Sequence, residues 1–286
     1  MKKFNLSIII FILPLLLAAQ TNVDSLVNVL ETQKLTAEKR FELYDKICNV
    51  FLYNDIEKTK VYAEEGLKLA KEEKNKFMMS KFTEFIGLVY VFESNNDSAR
   101  IYLEQALDWA IESKNKIREA SMYVSLAILS HSLNLYDKYL EYNLKAFTLF
   151  ENEGDEKHCA TVLANIGGMY RILGDTVRAI DYLERAIAIA EKTDYSLIKV
   201  GAYYELGAVY TEQEKYETAL KYGLKTIELC RSINNVSFEV SALLLVATVY
   251  NAQGNYEEAE KYSDECFRLA EQVNDFISIY NAWALR

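Results

Sequence analysis

The chain has 286 residues, 51% of them hydrophobic, with ten glycines, one proline and a formal net charge of −10. Such an apolar content excludes general disorder. The acidic balance argues against nucleic acid and anionic membranes, whose attraction rests on basic patches.

Residues 1–19 read as a signal peptide. Lys2 and Lys3 supply a basic end, Ile8 to Leu17 an apolar run, and Ala18-Ala19 a small-residue exit before Gln20. The run to Ala19 is shorter than the roughly 20 residues a membrane-spanning helix needs. The expectation is an exported, periplasmic or extracytoplasmic protein beginning at Gln20. An uncleaved N-terminal anchor is the alternative.

In residues 20–39, Val23, Leu26, Val27 and Leu30 follow the i, i+3, i+4, i+7 spacing of an amphipathic helix. Forty residues later the same places hold Ala63, Gly66, Leu67 and Ala70. The segment is therefore expected to be a half repeat that caps a stack.

Six units follow at 40–79, 80–119, 120–159, 160–199, 200–239 and 240–279. The register is carried by Tyr62, Tyr102, Tyr142, Tyr182, Tyr222 and Tyr262, which recur every forty residues. A second column reads Gly87, Ala127, Gly167, Gly207 and Ala247. A fixed period of this length signals a solenoid. Each unit reads as two helices joined by a break such as Gly174-Asp175 or Gly254-Asn255, where glycine supplies positive φ and Asp or Asn caps the next helix. Asn75, Asn115, Asp155, Asn235 and Asp275 mark the junctions between units. Gly167 and Gly207 are expected to let the helices of Ala179 and Ala219 approach closely, and the recurring tyrosines to pack. Residues 280–286 begin a seventh unit with Trp283, from which the natural product is expected to continue.

With Leu163, Ile166-Gly167, Tyr170, Ala179, Leu183 and Ala186, the unit resembles the tetratricopeptide repeat (TPR). Gly223 and Thr226 depart from the pattern, the period is forty rather than thirty-four, and the terminal proline is absent. The resemblance implies an all-α fold, a right-handed α-solenoid of stacked antiparallel helix pairs, the TPR superhelix. It also implies a non-catalytic scaffold that holds a protein or peptide segment in a concave groove lined by the first helix of each unit. Carried over, that groove comprises Tyr44, Phe85, Phe92, Ile128, His131, Asn165, Arg171, Tyr204, Leu244 and Asn251. A carboxylate clamp is not supported, because only Lys81 and Asn165 fit it. The leader and extended repeats are also similar to the exported sensory parts of bacterial signalling proteins. That similarity implies the recognition part of a longer signalling or assembly protein, with a membrane span and a kinase or DNA-binding output domain beyond Arg286. A free-standing chaperone-like or peptide-sensing protein is the alternative.

No phosphate loop, nucleophile elbow or His-Glu-x-x-His pattern occurs. Cys48, Cys159, Cys230 and Cys266 lack paired metal spacing and read as reduced core fillers. His158-Cys159, beside Asp155 and Glu156, reads as a turn with charged caps. No catalytic, metal or cofactor residue is therefore assigned, no enzyme activity is expected, and neither is direct membrane insertion once the leader is removed.

Overall fold

The computed structural model describes residues 23–193 and 195–285, all of its regular structure helical. The leader and the start at Gln20 lie outside the described residues. The chain divides at Asp155 into two compact units. The first contains α1 (Val23–Thr32), α2 (Ala37–Phe51), α3 (Ile56–Glu72), α4 (Lys76–Phe92), α5 (Asn96–Glu112), α6 (Lys116–Ser132) and α7 (Tyr136–Asn152). The second contains α8 (Glu156–Ile172), α9 (Thr176–Thr193), α10 (Ser196–Glu212), α11 (Tyr216–Ser232), α12 (Val236–Ala252), α13 (Tyr256–Gln272) and α14 (Phe276–Ala284). Consecutive helices pack in order within each unit, so the fold is an α-solenoid of antiparallel pairs.

Helix starts follow from single side chains. Asn75, Asn115, Asn235 and Asp275 each accept a hydrogen bond from the backbone N–H three residues on, at 3.1, 2.8, 3.1 and 3.1 Å. Asp175 does the same for Arg178 at 3.0 Å. Each satisfies an N–H group that the helix itself leaves open. His158 and Cys159 correct one expectation: they sit in the first turn of α8, not in a turn between helices.

Helix ends follow a second rule, with a period of twenty rather than forty. Left-handed residues close the helices at Lys74, Ser94, Lys114, Asn134, Gly154, Gly174, Glu214, Asn234, Gly254 and Asn274. At the first of these, Asn75 N–H donates to Ala70 C=O at 2.9 Å and Lys74 N–H to Lys71 C=O at 3.2 Å. That pairing is a Schellman closure. Lys114 and Glu214 hold φ of 58° there, a conformation that costs a side chain with a Cβ roughly 1–2 kcal/mol.

The core lies between the two helices of each pair. A Cβ on Gly167 would come within 2.7 Å of the Leu183 side chain and 3.1 Å of the Ala179 carbonyl. On Gly87 it would meet Leu103 at 2.7 Å. Glycine on one helix thus lets a leucine of the next lie against bare backbone. The recurring tyrosines complete the pair at its edge. Tyr182 stacks on Tyr170 at 5.5 Å, Tyr222 on Tyr210 at 5.7 Å and Tyr262 on Tyr250 at 5.6 Å. These ring pairs add roughly 0.5–1.5 kcal/mol each beyond the area they bury.

Candidate functional site

Within each unit the first helices of successive pairs touch one another directly: α2 with α4 and α4 with α6, then α8 with α10, α10 with α12 and α12 with α14. The second helices are set wider apart, and between α3 and α5 a cleft of about 590 Å³ opens, lined by Leu67, Ile86, Ile101 and Tyr102 among others. In each unit the first helices therefore form the closer-set layer, the one a solenoid offers to a ligand. All ten candidate residues lie on first helices.

In the first unit two of them are core residues. Tyr44 and Phe85 are 2% and 5% exposed and belong to one apolar cluster with Phe41, Phe82 and Ile86. They offer a partner little surface. The Tyr44 hydroxyl accepts from Arg40 at 2.9 Å and donates to Glu65 at 3.0 Å. It borders a cleft of about 670 Å³ shared with Arg40, Tyr62 and Glu65. Phe92 and Ile128 are half-buried against the same cluster, and Tyr53 meets Phe92 edge-on at 5.8 Å. His131 is half-buried beside Tyr136 and Tyr139. Burial holds its imidazole below the usual histidine range.

A charged row that the sequence reading missed crosses these first helices. Lys81 pairs with Asp45 at 2.7 Å, which ties α4 to α2. Arg118 pairs with Glu84 at 2.7 Å and donates from Nε to Ser80 Oγ at 2.9 Å, tying α6 to α4. Ser125 also donates to Glu84. Lys81, half of the clamp considered above, is thus engaged by a carboxylate of its own chain.

In the second unit Arg171 is the centre. Its Nε donates to Glu205 Oε2 at 2.6 Å and its Nη1 to Glu212 Oε1 at 2.8 Å, so α8 and α10 are joined by one guanidinium. Glu205 is 1% exposed. Burial pushes its carboxyl up, and Arg171 opposes that shift. Burial works against the Arg171 charge too, yet the two carboxylates hold the guanidinium protonated above its ordinary range. Tyr204, next to this pair, is pushed up to about 12, mainly by burial, with Glu205 adding to it. Asn165 and Leu244 are half-buried. Asn251 is exposed and lines a cleft of about 570 Å³ with Tyr256, Glu257, Glu260, Ala284 and Leu285. Arg171 bonds Glu205, and Tyr204 lies beside the same carboxylate.

All four cysteines are buried. Burial pushes the Cys230 and Cys266 thiols up to about 12, with Glu239 and Asp275 adding, and raises Cys48 as well. Such thiols carry almost no thiolate at neutral pH. Among the described residues no group of three or more His, Cys, Asp and Glu is placed to hold a metal ion. No described helix is long and apolar enough to cross a membrane.

A signal for the charged row does exist in the sequence. Opposite charges 34 residues apart recur as Glu84 and Arg118 and as Arg171 and Glu205 on first helices, and as Arg231 and Glu265 on the second helices α11 and α13. That separation joins the same helix of neighbouring pairs.

Residues 81–286 match the family described as the MalT-like TPR region. No curated protein matches the chain. Among solved structures, the apo quorum sensor NprR from B. thuringiensis shares 18% identity, covering 94% of this chain and 81% of that one, with a TM-score of 0.68. NprR in complex with its cognate peptide NprX shares 19% identity over 88% of this chain and 74% of that one, at a TM-score of 0.61. A signal-transduction ATPase with a tetratricopeptide repeat sensor, from Pyrococcus horikoshii, shares 21% identity at a TM-score of 0.68. There the match covers 93% of this chain but 42% of that one.

Proposed function

The chain belongs to the MalT-like TPR family, and from that premise we propose that it is a scaffold whose first-helix faces hold a peptide segment of another protein. The observation that carries this reading is the makeup of those faces. Half-buried Phe92 and Ile128 in one unit, and Tyr204 and Leu244 in the other, sit on the same helices as charged groups already locked in pairs. Locked pairs fix the helices without presenting a lone buried charge. The apolar side chains between them give anchors for alternate residues of an extended or helical peptide. A fold shared with a peptide-bound quorum sensor supports this choice of ligand. The role is binding rather than catalysis.

The test is selection from a random peptide library on the purified chain, followed by calorimetric titration. Phe92→Ala and Tyr204→Ala, each checked for an intact helical spectrum, are expected to weaken the selected peptides of their unit at least tenfold. Unchanged affinity in both variants would remove the first-helix faces from the proposal.

Two finer readings belong with it. Export rests on the composition of residues 1–20, and mass spectrometry of the native protein finding Met1 retained would overturn it. A recognition role inside a longer signalling protein is supported by the sensor of the Pyrococcus ATPase, of which this chain matches the smaller part. The gene sequence following codon 286 separates that reading from a free-standing peptide sensor.

A further inference from the structure

We propose that Arg171 and Tyr204 together hold main-chain carbonyl groups of an extended peptide, and that Glu212 makes this seat reject acidic side chains. The inference rests on the peptide-binding reading above. Arg118 and Arg171 each tie one first helix to the next, but they differ in what they leave over. Arg118 engages all three guanidinium nitrogens: Nε donates to Ser80, Nη1 pairs with Glu84 and Nη2 lies 3.5 Å from Met122 Sδ. Arg171 engages two, Nε on Glu205 and Nη1 on Glu212, and its Nη2 makes no hydrogen bond among the described residues. The same contrast separates two tyrosines at one place in the repeat. The Tyr44 hydroxyl is taken by Arg40 and Glu65. That of Tyr204 has no hydrogen-bond partner among the described residues. Neither Arg171 Nη2 nor the Tyr204 hydroxyl is sealed from solvent, so both stand open to a ligand. The Glu205 carboxyl carbon lies against Gly168, 3.5 Å from where a Cβ would stand. Other first helices carry Leu88, Ile128 and Thr248 at that place, and side chains of that size would displace the carboxyl.

Charge decides the acceptor. One guanidinium already faces two carboxylates, the buried Glu205 and the more open Glu212. A ligand carboxylate would add a third negative group to a half-buried seam, where like charges repel strongly. A ligand cation would meet the outward N–H groups of Arg171. A neutral oxygen suffers neither penalty. Burial raises Tyr204 to about 12, so its hydroxyl keeps its proton at neutral pH and donates as well. Helices in contact lie roughly 8–10 Å apart, and carbonyls on one side of an extended chain recur roughly every 7 Å. Donors on α8 and α10 therefore suit carbonyls two residues apart.

The test selects random peptides with acetylated and amidated ends, in parallel on the full chain and on its Glu212→Gln variant. Asp and Glu are expected to be rarer in the wild-type pool by about fivefold or more. A wild-type peptide is then titrated by calorimetry with each peptide bond in turn replaced by an ester, whose carbonyl is the weaker acceptor. One such ester is expected to lower affinity about three- to tenfold in the wild type. Tyr204→Phe, with an unchanged helical spectrum, is expected to lose about as much and to lose nothing further from that ester. Pools equally rich in Asp and Glu, a wild-type pool rich in Lys and Arg that Glu212→Gln loses, or ester and Tyr204→Phe losses that simply add would each overturn this inference alone. A wild-type chain that retains no peptide would overturn the peptide-binding reading and this inference with it.

Discussion

Replacing Arg171 by methionine removes the guanidinium that holds Glu205 and keeps most of the side-chain volume. The Glu205 carboxylate is 1% exposed and 2.6 Å from Arg171 Nε, so it is left charged in an apolar seam. Breaking a buried pair in this way costs about 3–5 kcal/mol, whereas replacing both partners by apolar groups is near neutral or stabilising. The expected loss for Arg171→Met is therefore about 3–5 kcal/mol, with Arg171→Met/Glu205→Met recovering most of it. The penalty also depends on pH. The Glu205 carboxyl is already raised in the folded chain, and without Arg171 it rises further. The folded state then holds a proton that the unfolded state releases. Stability of the variant is lowest above the folded value and returns as pH falls towards the ordinary carboxylate value of 4.5. Urea unfolding of wild type, both single variants and the double variant at pH 5 and pH 8 measures this. A double variant as unstable as the two single losses combined, or an Arg171→Met penalty equal at both pH values, would refute the reasoning.

At the left-handed helix ends, Lys114→Gly and Glu214→Gly are expected to stabilise by about 1 kcal/mol each, read as raised urea midpoints, because both hold φ of 58° with a Cβ present. Gly167→Ala is expected to cost about 1–3 kcal/mol by overpacking against Leu183 and the Ala179 carbonyl, and an unchanged melting temperature would count against that packing. For His131 the imidazole is depressed by burial, so as pH falls below 6.5 the unfolded chain takes up its proton first and stability drops. His131→Gln removes that part of the acid slope in unfolding measured from pH 7.5 to 5.

The helices and their pairing were legible because the forty-residue register repeats the same small and large residues, and each copy reports on the others. Asn75 and Asp175 announced their helix starts through side-chain chemistry alone. The twenty-residue rhythm of the helix ends was harder to see. Its left-handed position accepts Lys74, Ser94 and Glu214 as well as glycine, since the backbone closure pays for the strain. On the candidate site, position along a helix was legible and depth was not. Phe85 shares α4 with Phe92, yet Phe85 is sunk in the core, as Tyr44 is on α2, while Phe92 stays half-buried. Glu205 and Glu84 were missed because a charged residue on a helix reads as solvated. Only the partner 34 residues away, Arg171 or Arg118, makes its burial tolerable.

A selected peptide carrying a photoreactive benzophenone can be cross-linked to the chain and the attached residues read by mass spectrometry. Attachment on the first helices, near Phe92 and Ile128 of α4 and α6 or Tyr204 and Leu244 of α10 and α12, is the expected result. Attachment on the second helices instead, near the exposed Ile101, Val177 or Leu224, would contradict a first-helix binding face.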